Sequence, residues 1–227
     1  HYIHKALAPF STITEGDLPT LIDSEPDAII MTDIGQIDSS ARQALEEWIE
    51  AGGALIRFAG PRMAAQRDDL VPAPLRRSTR AIGGALTWED PQPLGPFPAT
   101  SPFAGLSPPE GVTIRQQVLA RPGPELGRRT WARLADGSPL VTADKRGEGM
   151  LILFHVTAGP DWSDLPYSGV FVDMLRRAIA AGKGEAVSAK DGLFTPTLSL
   201  DGFGRLAPPG AAAAPLDAAG FTETSPS

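Results

Sequence analysis

The sequence of 227 residues lacks cysteine altogether. Thiol nucleophiles, disulfide bonds and thiolate ligands for metals are therefore excluded. Long apolar runs are also lacking, because the longest, residues 150–156, falls far short of the roughly 20 residues of a membrane-spanning helix. We expect no signal peptide ahead of the first predicted helix. We interpret the abrupt beginning HYIHKALAPF as the interior of an element, and hence the sequence as a segment of a longer protein without a membrane span of its own.

Positive charge is scarce: 20 Lys and Arg residues stand against 27 Asp and Glu residues, which gives a net charge of −7. Nucleic-acid binding needs a concentrated basic face, so this balance argues against it. The basic cluster before the C-terminal helix, formed by Arg76, Arg77 and Arg80, lies in a Pro-rich loop that we interpret as solvated rather than anion-binding. The apolar content of 42% and the charged content of 21% are those of a globular domain.

The clearest pattern runs from Asp27 to Pro61 and predicts a strand, a helix and a second strand. Residues 28–31 form an apolar run that is typical of a strand covered on both faces. Asp38 or Ser39 can cap the helix that follows, whose apolar residues recur every three or four positions. Two glycines then end this helix, and residues 54–58 return as the next strand. This is the repeating unit of a parallel sheet.

We predict an α/β domain over residues 1–182 and an extended segment or linker over residues 183–227. A Pro- and Gly-rich stretch, residues 62–110, is interpreted as an ordered excursion within the domain because it carries apolar anchors. The remaining predicted elements are, in chain order, short helices at 3–10 and 16–22, a strand at 85–88, an antiparallel β extension at 111–145 with a hairpin at Asp136-Gly137, a buried strand at 150–156, a helix at 167–181, and a strand at 197–200 that is followed by a turn at 201–202.

Ligands of parallel α/β sheets gather beyond the carboxyl ends of the strands. Three stretches are therefore expected to meet there: residues 33–35, 59–62 and 155–164. His155 could act as a general base with Asp161 or Asp164 as its orienting acid, or it could be a buried histidine bonded to a backbone carbonyl. Asp33 could bind a metal or a substrate, or it could cap neighbouring backbone.

The candidates for binding a ligand or partner at this edge are Gly60, Arg62, Trp162, Ser163 and Asp164. Arg62 could clamp an anion or stay solvated, Ser163 could cap the last helix, and Trp162 could line a pocket or pack over the sheet edge. The sequence contains neither a G-x-S-x-G elbow nor a phosphate-binding glycine loop. His1 and His4 have a helical metal-pair spacing but no evident third ligand. We therefore predict no metal and no cofactor.

Several stretches resemble one bacterial family. They are EEWIEAGGALIRFAGPRMA, WARLADGSPLVTA, LDGFGRLAPP and especially GEGMLILFHVTAGPDWSDLPYSGVFVDMLRRAI. They are similar to segments of membrane proteins that combine an N-terminal aerotolerance (BatA-type) region with a C-terminal domain of unknown function, DUF4159. The resemblance covers roughly residues 1–210 and places this segment between those two regions.

The resemblance implies a flavodoxin-like three-layer sandwich similar to class I glutamine amidotransferases, with a mainly parallel sheet. It also implies a domain of an inner-membrane protein, on the periplasmic side of the cell envelope. It does not imply amidotransferase activity, which needs a cysteine nucleophile with histidine and glutamate partners. Here the strand corner holds Ala59 and Gly60, and Thr157 stands where the glutamate is expected.

From these observations we expect a non-catalytic binding or interaction module, a pseudoenzyme within a larger envelope protein. Its partners would be other domains of the same membrane protein or other envelope proteins, and self-association stays open. The alternative is a hydrolase or sugar-modifying enzyme that uses His155 with Asp161 and Asp33. A third interpretation is a structural spacer. Convergence of the three side chains in a concave pocket would favour the enzyme, and burial of His155 under Trp162 would favour the binding module.

Overall fold

The computed structural model describes residues 1–35, 37–65, 69–76 and 85–184, together with four two-residue strands further on. The chain divides into two compact units, His1–Val187 and Ser188–Ser227. In chain order the first unit contains α1 (Tyr2–Leu7), α2 (Leu18–Asp23), β1 (Ala28–Met31), α3 (Ser39–Glu50), β2 (Ala54–Phe58), α4 (Pro61–Ala65), β3 (Leu86–Pro93), β4 (Thr113–Gln117), α5 (Leu126–Arg129), β5 (Thr130–Arg133), β6 (Pro139–Arg146), β7 (Gly149–Phe154), a 3₁₀ turn (Leu165–Tyr167) and α6 (Gly169–Gly182).

A five-stranded sheet with the order β1-β2-β7-β6-β5 forms the centre of this unit. The pairs β1–β2 and β2–β7 are parallel, whereas β7–β6 and β6–β5 are antiparallel. Four of the five strands therefore run in the same direction. A separate antiparallel pair, β3–β4, accompanies the sheet. The fold is a mixed α/β fold with a mostly parallel central sheet.

Helices cover both faces of the sheet, which explains why β2 is buried at every position. Ile56 and Phe58 of β2 pack with α1 and α6 on one face, where Phe171 and Met174 belong to the same core cluster. Leu55 points to the other face and packs with the apolar side of α3 and with residues of α2. Alternate side chains of β2 thus pack into two different cores, because the side chains of a strand point alternately to its two faces.

The predicted strand–helix–strand unit is confirmed, and Asp38 rather than Ser39 caps α3 by accepting a hydrogen bond from the backbone N–H of Ala41. The hairpin at Asp136-Gly137 is also confirmed, with Gly137 in the left-handed region at φ 90°. The predicted strand at 85–88 is longer, since β3 extends to Pro93 and pairs with β4.

One capping prediction is wrong. The last helix begins at Gly169, and its cap is Ser168, whose hydroxyl accepts a hydrogen bond from the N–H of Phe171. Ser163 lies too early in the chain for this role and instead forms an isolated antiparallel bridge with Ile114. The residues between them form the 3₁₀ turn, which the sequence pattern did not separate from the helix.

The second unit contains β8 (Leu193–Phe194), β9 (Ser199–Leu200), β10 (Leu206–Ala207) and β11 (Leu216–Asp217). Strand β8 pairs with β11 and β9 pairs with β10, both antiparallel. Strand β9 covers the last two residues of the strand predicted at 197–200. The first two residues of that prediction, and the turn predicted at 201–202, lie outside the described residues. Over the parts of the chain that the structure describes, none of the helices is long and apolar enough to cross a membrane.

Candidate functional site

Asp33 follows the end of β1 and binds the beginning of α4. Its two carboxylate oxygens accept hydrogen bonds from the backbone N–H groups of Arg62 and Met63, at 3.0 and 2.9 Å. These groups are among the donors that the first turn of a helix leaves without an intrahelical partner. Pro61 opens α4 and has no N–H to satisfy. Asp33 therefore caps α4 from a neighbouring strand, which is the structural one of its two predicted roles.

Gly60 permits this arrangement because it lets the two segments approach closely. A Cβ atom at this position would lie 2.4 Å from Cγ of Asp33, well inside van der Waals contact. The requirement is steric, and any side chain at position 60 would displace the carboxylate from α4. Residues 33–35 and 59–62 thus meet as predicted. Their contact is that of the capping residue Asp33 with the first turn of α4.

His155 directly follows β7 and is completely buried. Its Nδ1 lies 2.7 Å from the carbonyl oxygen of Val118, and its Nε2 lies 3.0 Å from Oγ1 of Thr142. A carbonyl oxygen can only accept, so Nδ1 carries the proton. In the neutral ring, Nε2 then accepts from the hydroxyl of Thr142. Both ring nitrogens are committed to partners inside the core.

Burial lowers the pKa of His155 from 6.5 to about 4, although the hydrogen bond to Val118 acts in the opposite direction. The dominant cause is the cost of placing an imidazolium ion where water cannot solvate it. His155 is therefore neutral around pH 7. A general base must be reached by the proton that it removes, and this ring has no free nitrogen to offer.

Trp162 packs over the carboxyl ends of β2 and β7 and closes this edge. It is 6% exposed and shares a core cluster with Ala59, Met63, Val118 and Leu153. Its carbonyl oxygen accepts hydrogen bonds from two successive N–H groups of the β4 region, at residues 115 and 116. The indole of Trp162 therefore packs over the ends of these strands as part of the core.

Asp164 takes part in a polar network that holds the loop 157–164 against β4. Its Oδ1 lies 2.7 Å from the guanidinium of Arg115, and its Oδ2 accepts from the hydroxyl of Thr113 at 2.9 Å. Arg115 also donates to the carbonyl oxygen of Pro160 at 2.6 Å. The hydrogen bond from Arg115 keeps the pKa of Asp164 below its usual range. Asp164 thus serves the loop, and its partner is Arg115 rather than His155.

The other candidates are distributed over different environments. Arg62 and Asp161 are exposed, whereas Ser163 is fully buried with no hydrogen-bond partner for its hydroxyl. His4 lies in α1 and His1 is its N-cap residue, so neither histidine belongs to the strand ends at this edge. Among the residues that the structure describes, no group of three or more His, Asp or Glu side chains is arranged to hold a metal ion.

The structure therefore brings Asp33, Gly60 and Arg62 together, and it brings Trp162 and Asp164 onto β4. Asp33, Asp164 and His155 have separate partners, so the contacts of these three residues do not form a nucleophile–base–acid relay. What the arrangement can do chemically is hold the ends of three strands and one helix in a fixed geometry.

Sequence reasoning missed the partners that explain His155, namely Thr142 and the backbone of Val118. Both lie in the antiparallel extension, and their contact with His155 depends on the β6–β7 pairing and on the path of the chain after β4. It also missed Arg57, which is buried in the middle of β2 and donates to the carbonyl oxygen of Leu70 at 3.1 Å. An arginine inside an apolar strand pattern was the available signal for that contact.

No protein-family model matches the sequence, and no curated protein matches it. Among solved structures, the chain is similar to the cytoplasmic protein STM3548 from Salmonella typhimurium, with a TM-score of 0.58 and 13% identity over 79% of this chain and 85% of that one. It is also similar to the cytoplasmic protein STM1381 from Salmonella typhimurium LT2, with a TM-score of 0.52 and 16% identity over 81% and 84% of the two chains. At such identities the likeness concerns the fold, and it agrees with the α/β architecture described above.

Proposed function

We propose that this chain is a non-catalytic binding or interaction module. The observation that carries the proposal is the commitment of His155: the ring is buried, neutral, and bonded through both nitrogens to Val118 and Thr142. In an α/β fold this edge of the sheet is where catalytic groups are normally presented. Here His155 is bonded to Val118 and Thr142, and Asp33 is bonded to the backbone of α4.

Asp33 and Trp162, which lie at the same edge of the sheet, support the same conclusion. The carboxylate of Asp33 satisfies two backbone donors of α4, and Trp162 fills the space above the strand ends. A hydrolase would need at least one of these groups to face a substrate and a water molecule. A scaffold needs them to be satisfied internally, as they are.

We further propose that the fold belongs to the flavodoxin-like, class I glutamine amidotransferase-like type, and that the chain acts within a larger bacterial envelope protein on the periplasmic side of the inner membrane. The parallel arrangement of β1, β2 and β7 with helices on both faces supports the first part. The second part rests on the resemblance of the GEGMLILFHV…RRAI stretch to BatA/DUF4159-type proteins.

The proposal is tested by assaying the purified chain for hydrolysis of glutamine, chromogenic glycosides and esters, next to a His155→Asn variant. Asparagine can still donate to the carbonyl of Val118, so the variant retains the structural bond while it removes the imidazole. We expect wild type and variant to be equally inactive. Turnover that is lost in the variant would overturn the proposal and restore the hydrolase interpretation.

The cellular part has its own test. The full-length polypeptide, produced in its host, should fractionate with the inner membrane. This segment should be cut by protease added to spheroplasts, whose periplasmic face is open. Protection in spheroplasts, with cleavage only after lysis, would contradict the periplasmic location and leave the absence of catalysis unaffected.

A further inference from the structure

Strand β1 is the first strand of the central sheet, and its outer edge pairs with no other strand within the described residues. The carbonyl oxygen of Asp27 accepts from the N–H of Ala54 in β2. Backbone groups alternate between the two edges of a strand, so residues 27, 29 and 31 face β2. The N–H and C=O groups of Ala28, Ile30 and Thr32 consequently point away from the sheet, toward the outside edge.

A cleft of about 620 Å³ lies along this edge. Ala28, Ile30 and Thr32 are among its lining residues, so the outward backbone groups face the cleft. It is bounded on one side by α1 and by Ile179 of α6, on the other by Leu21 of α2, and it is also lined by the connection 11–16 between the two helices. The cleft therefore occupies the position that a further strand would take between the two helical layers.

Both side walls of the cleft are apolar, as the two faces of a buried strand require. Ile3, Leu7 and Ile179 line it from the layer of α1 and α6, and they belong to the core cluster on that face or pack against it. Leu21 lines it from the layer of α2. A segment extended along β1 would place alternate side chains against these two walls, so an apolar segment fits both.

The charged groups that line the cleft are acidic, apart from two histidines. They are Glu15, Glu25 and Asp27, and neither Lys nor Arg is among the lining residues. Asp27 is bound to Lys183 at 2.8 Å, which leaves the two glutamates as the principal negative charges. Of these two, Glu25 lies close to the start of β1, three residues before Ala28, so it places negative charge at one end of the open edge. A basic residue is favoured there.

We propose that this cleft binds an extended, mainly apolar peptide segment of a partner protein, with a basic residue at one end, which adds a strand to the sheet beside β1. Main-chain hydrogen bonds supply the affinity in this mode of recognition, and the walls supply the selectivity. A second copy of this chain is a poor occupant, because its own β1 is flanked by the same walls and cannot enter. The cleft would be the surface through which the proposed interaction module binds its partner, so its assignment rests on the function proposed above.

The test uses a fluorescein-labelled peptide, KVIVIVK, blocked at both ends, and measures binding by fluorescence anisotropy. The peptide has a lysine at each end so that either direction of the bound strand places one lysine beside Glu25. Two further versions are methylated on the backbone nitrogens of alternate residues, one version for each edge of the peptide. Because a bound strand turns only one edge toward β1, one methylated version should bind at least about tenfold more weakly while the other binds like the parent. Equal binding of all three, or no saturable binding of the parent at millimolar protein concentration, would overturn the proposal.

The protein side of the same contact is tested with Ala28→Pro and its control Ala28→Ser. Proline removes an outward N–H at the first residue of an edge strand, a place where proline is tolerated without loss of the ladder to β2. We expect the proline variant to bind the parent peptide at least about tenfold more weakly and the serine variant to bind it normally. Amide exchange at Ile30 and Thr32 should slow when peptide is bound to wild type. Unchanged exchange there would show binding elsewhere and overturn the assignment.

The peptide-binding experiments and the activity assays test different proposals, and either proposal can be contradicted while the other stands. Loss of the cleft assignment with inactive wild type would leave an interaction module that uses another surface. Peptide binding at β1 together with turnover that depends on His155 would instead describe an enzyme with a peptide-binding edge.

Discussion

Two margins of one sheet contrast in this molecule. At the carboxyl ends of β2 and β7, His155 and Trp162 are enclosed, and the ring nitrogens of the histidine have partners. Along the outer margin of β1, the outward backbone groups of Ala28 and Ile30 face an open cleft. The first margin is where α/β proteins usually carry out chemistry, and the second is one that they usually cover.

The contrast teaches that the position of a residue in a fold does not decide its role. What decides it is whether the polar groups there are already satisfied. Buried donors and acceptors that are paired cost little, whereas a strand edge without partners retains its capacity to bind. By this criterion the outer margin of β1 is a better candidate for recognition than the carboxyl margin.

The largest expected effect comes from opening the closed margin. Trp162→Ala removes the indole from the cluster with Met63, Val118 and Leu153, which should lower the free energy of unfolding by about 3–5 kcal/mol. Urea denaturation followed by circular dichroism measures this change. Leu21→Ala, at the open cleft, is the matched comparison. Because Leu21 is only partly buried, we expect a cost of about 1 kcal/mol.

If Trp162→Ala and Leu21→Ala lowered the free energy of unfolding equally, the carboxyl margin would not be more tightly packed than the margin of β1. A cost below about 1 kcal/mol for Trp162→Ala would mean that the indole is replaceable by water, and the carboxyl margin would then count as a pocket.

The second expected effect is a pH dependence of stability that originates at His155. The pKa of this histidine is about 4 in the folded chain, against its ordinary value of 6.5 when the chain is unfolded. Between these values the unfolded chain binds a proton that the folded chain does not, so the free energy of unfolding falls as the pH is lowered from about 6.5 to about 4. The total loss is up to about 3 kcal/mol, and it levels off below that range.

His155→Asn separates this contribution from that of the carboxylates. Asp164, whose pKa is lowered by Arg115, also loses stabilising charge at acid pH, but it does so in both proteins. The difference between wild type and variant in urea titrations at several pH values therefore reports the histidine alone. A difference that does not change between pH 7 and pH 4.5 would contradict the buried, neutral state of His155.

Much of the fold was predictable because its signals are local. The apolar run 28–31, the cap at Asp38 and the glycines after α3 each reflect short-range physics, and the structure has the corresponding elements. The same holds for the hairpin at Gly137. The extent of β3 was not predictable in this way, because its pairing with β4 joins segments separated by a long excursion.

The site was predictable only in part. The rule that strand ends converge placed Asp33 beside residues 60–62, and the contact with Arg62 and Met63 agrees with it. The state of His155 depends on Thr142 and Val118, which are 13 and 37 residues away in sequence. The open edge of β1 is likewise a property of strand order, which no single stretch of sequence encodes.

The smallest expected effect concerns the rim of the open cleft. Glu25 follows the end of α2 and is the one non-glycine residue with positive φ among those that the structure describes, at φ 49°. This left-handed conformation at the end of a helix favours glycine, because a Cβ atom is strained there. Glu25→Gly should therefore raise the free energy of unfolding by roughly 0.5–1 kcal/mol, which thermal denaturation can measure.

Glu25→Ala distinguishes the backbone effect from the charge effect, because it removes the carboxylate and keeps the Cβ atom. We expect no stabilisation from alanine, while both variants should bind the KVIVIVK peptide more weakly than wild type for lack of the negative charge. If Glu25→Ala also raised the free energy of unfolding, the destabilising feature would be the carboxylate of Glu25 and not its backbone conformation. The carboxylate would then be unfavourable at the rim of the empty cleft. Undiminished peptide binding by both variants would show that the acidic rim does not select the basic end. The open edge would then recognise its partner through the backbone and the apolar walls alone.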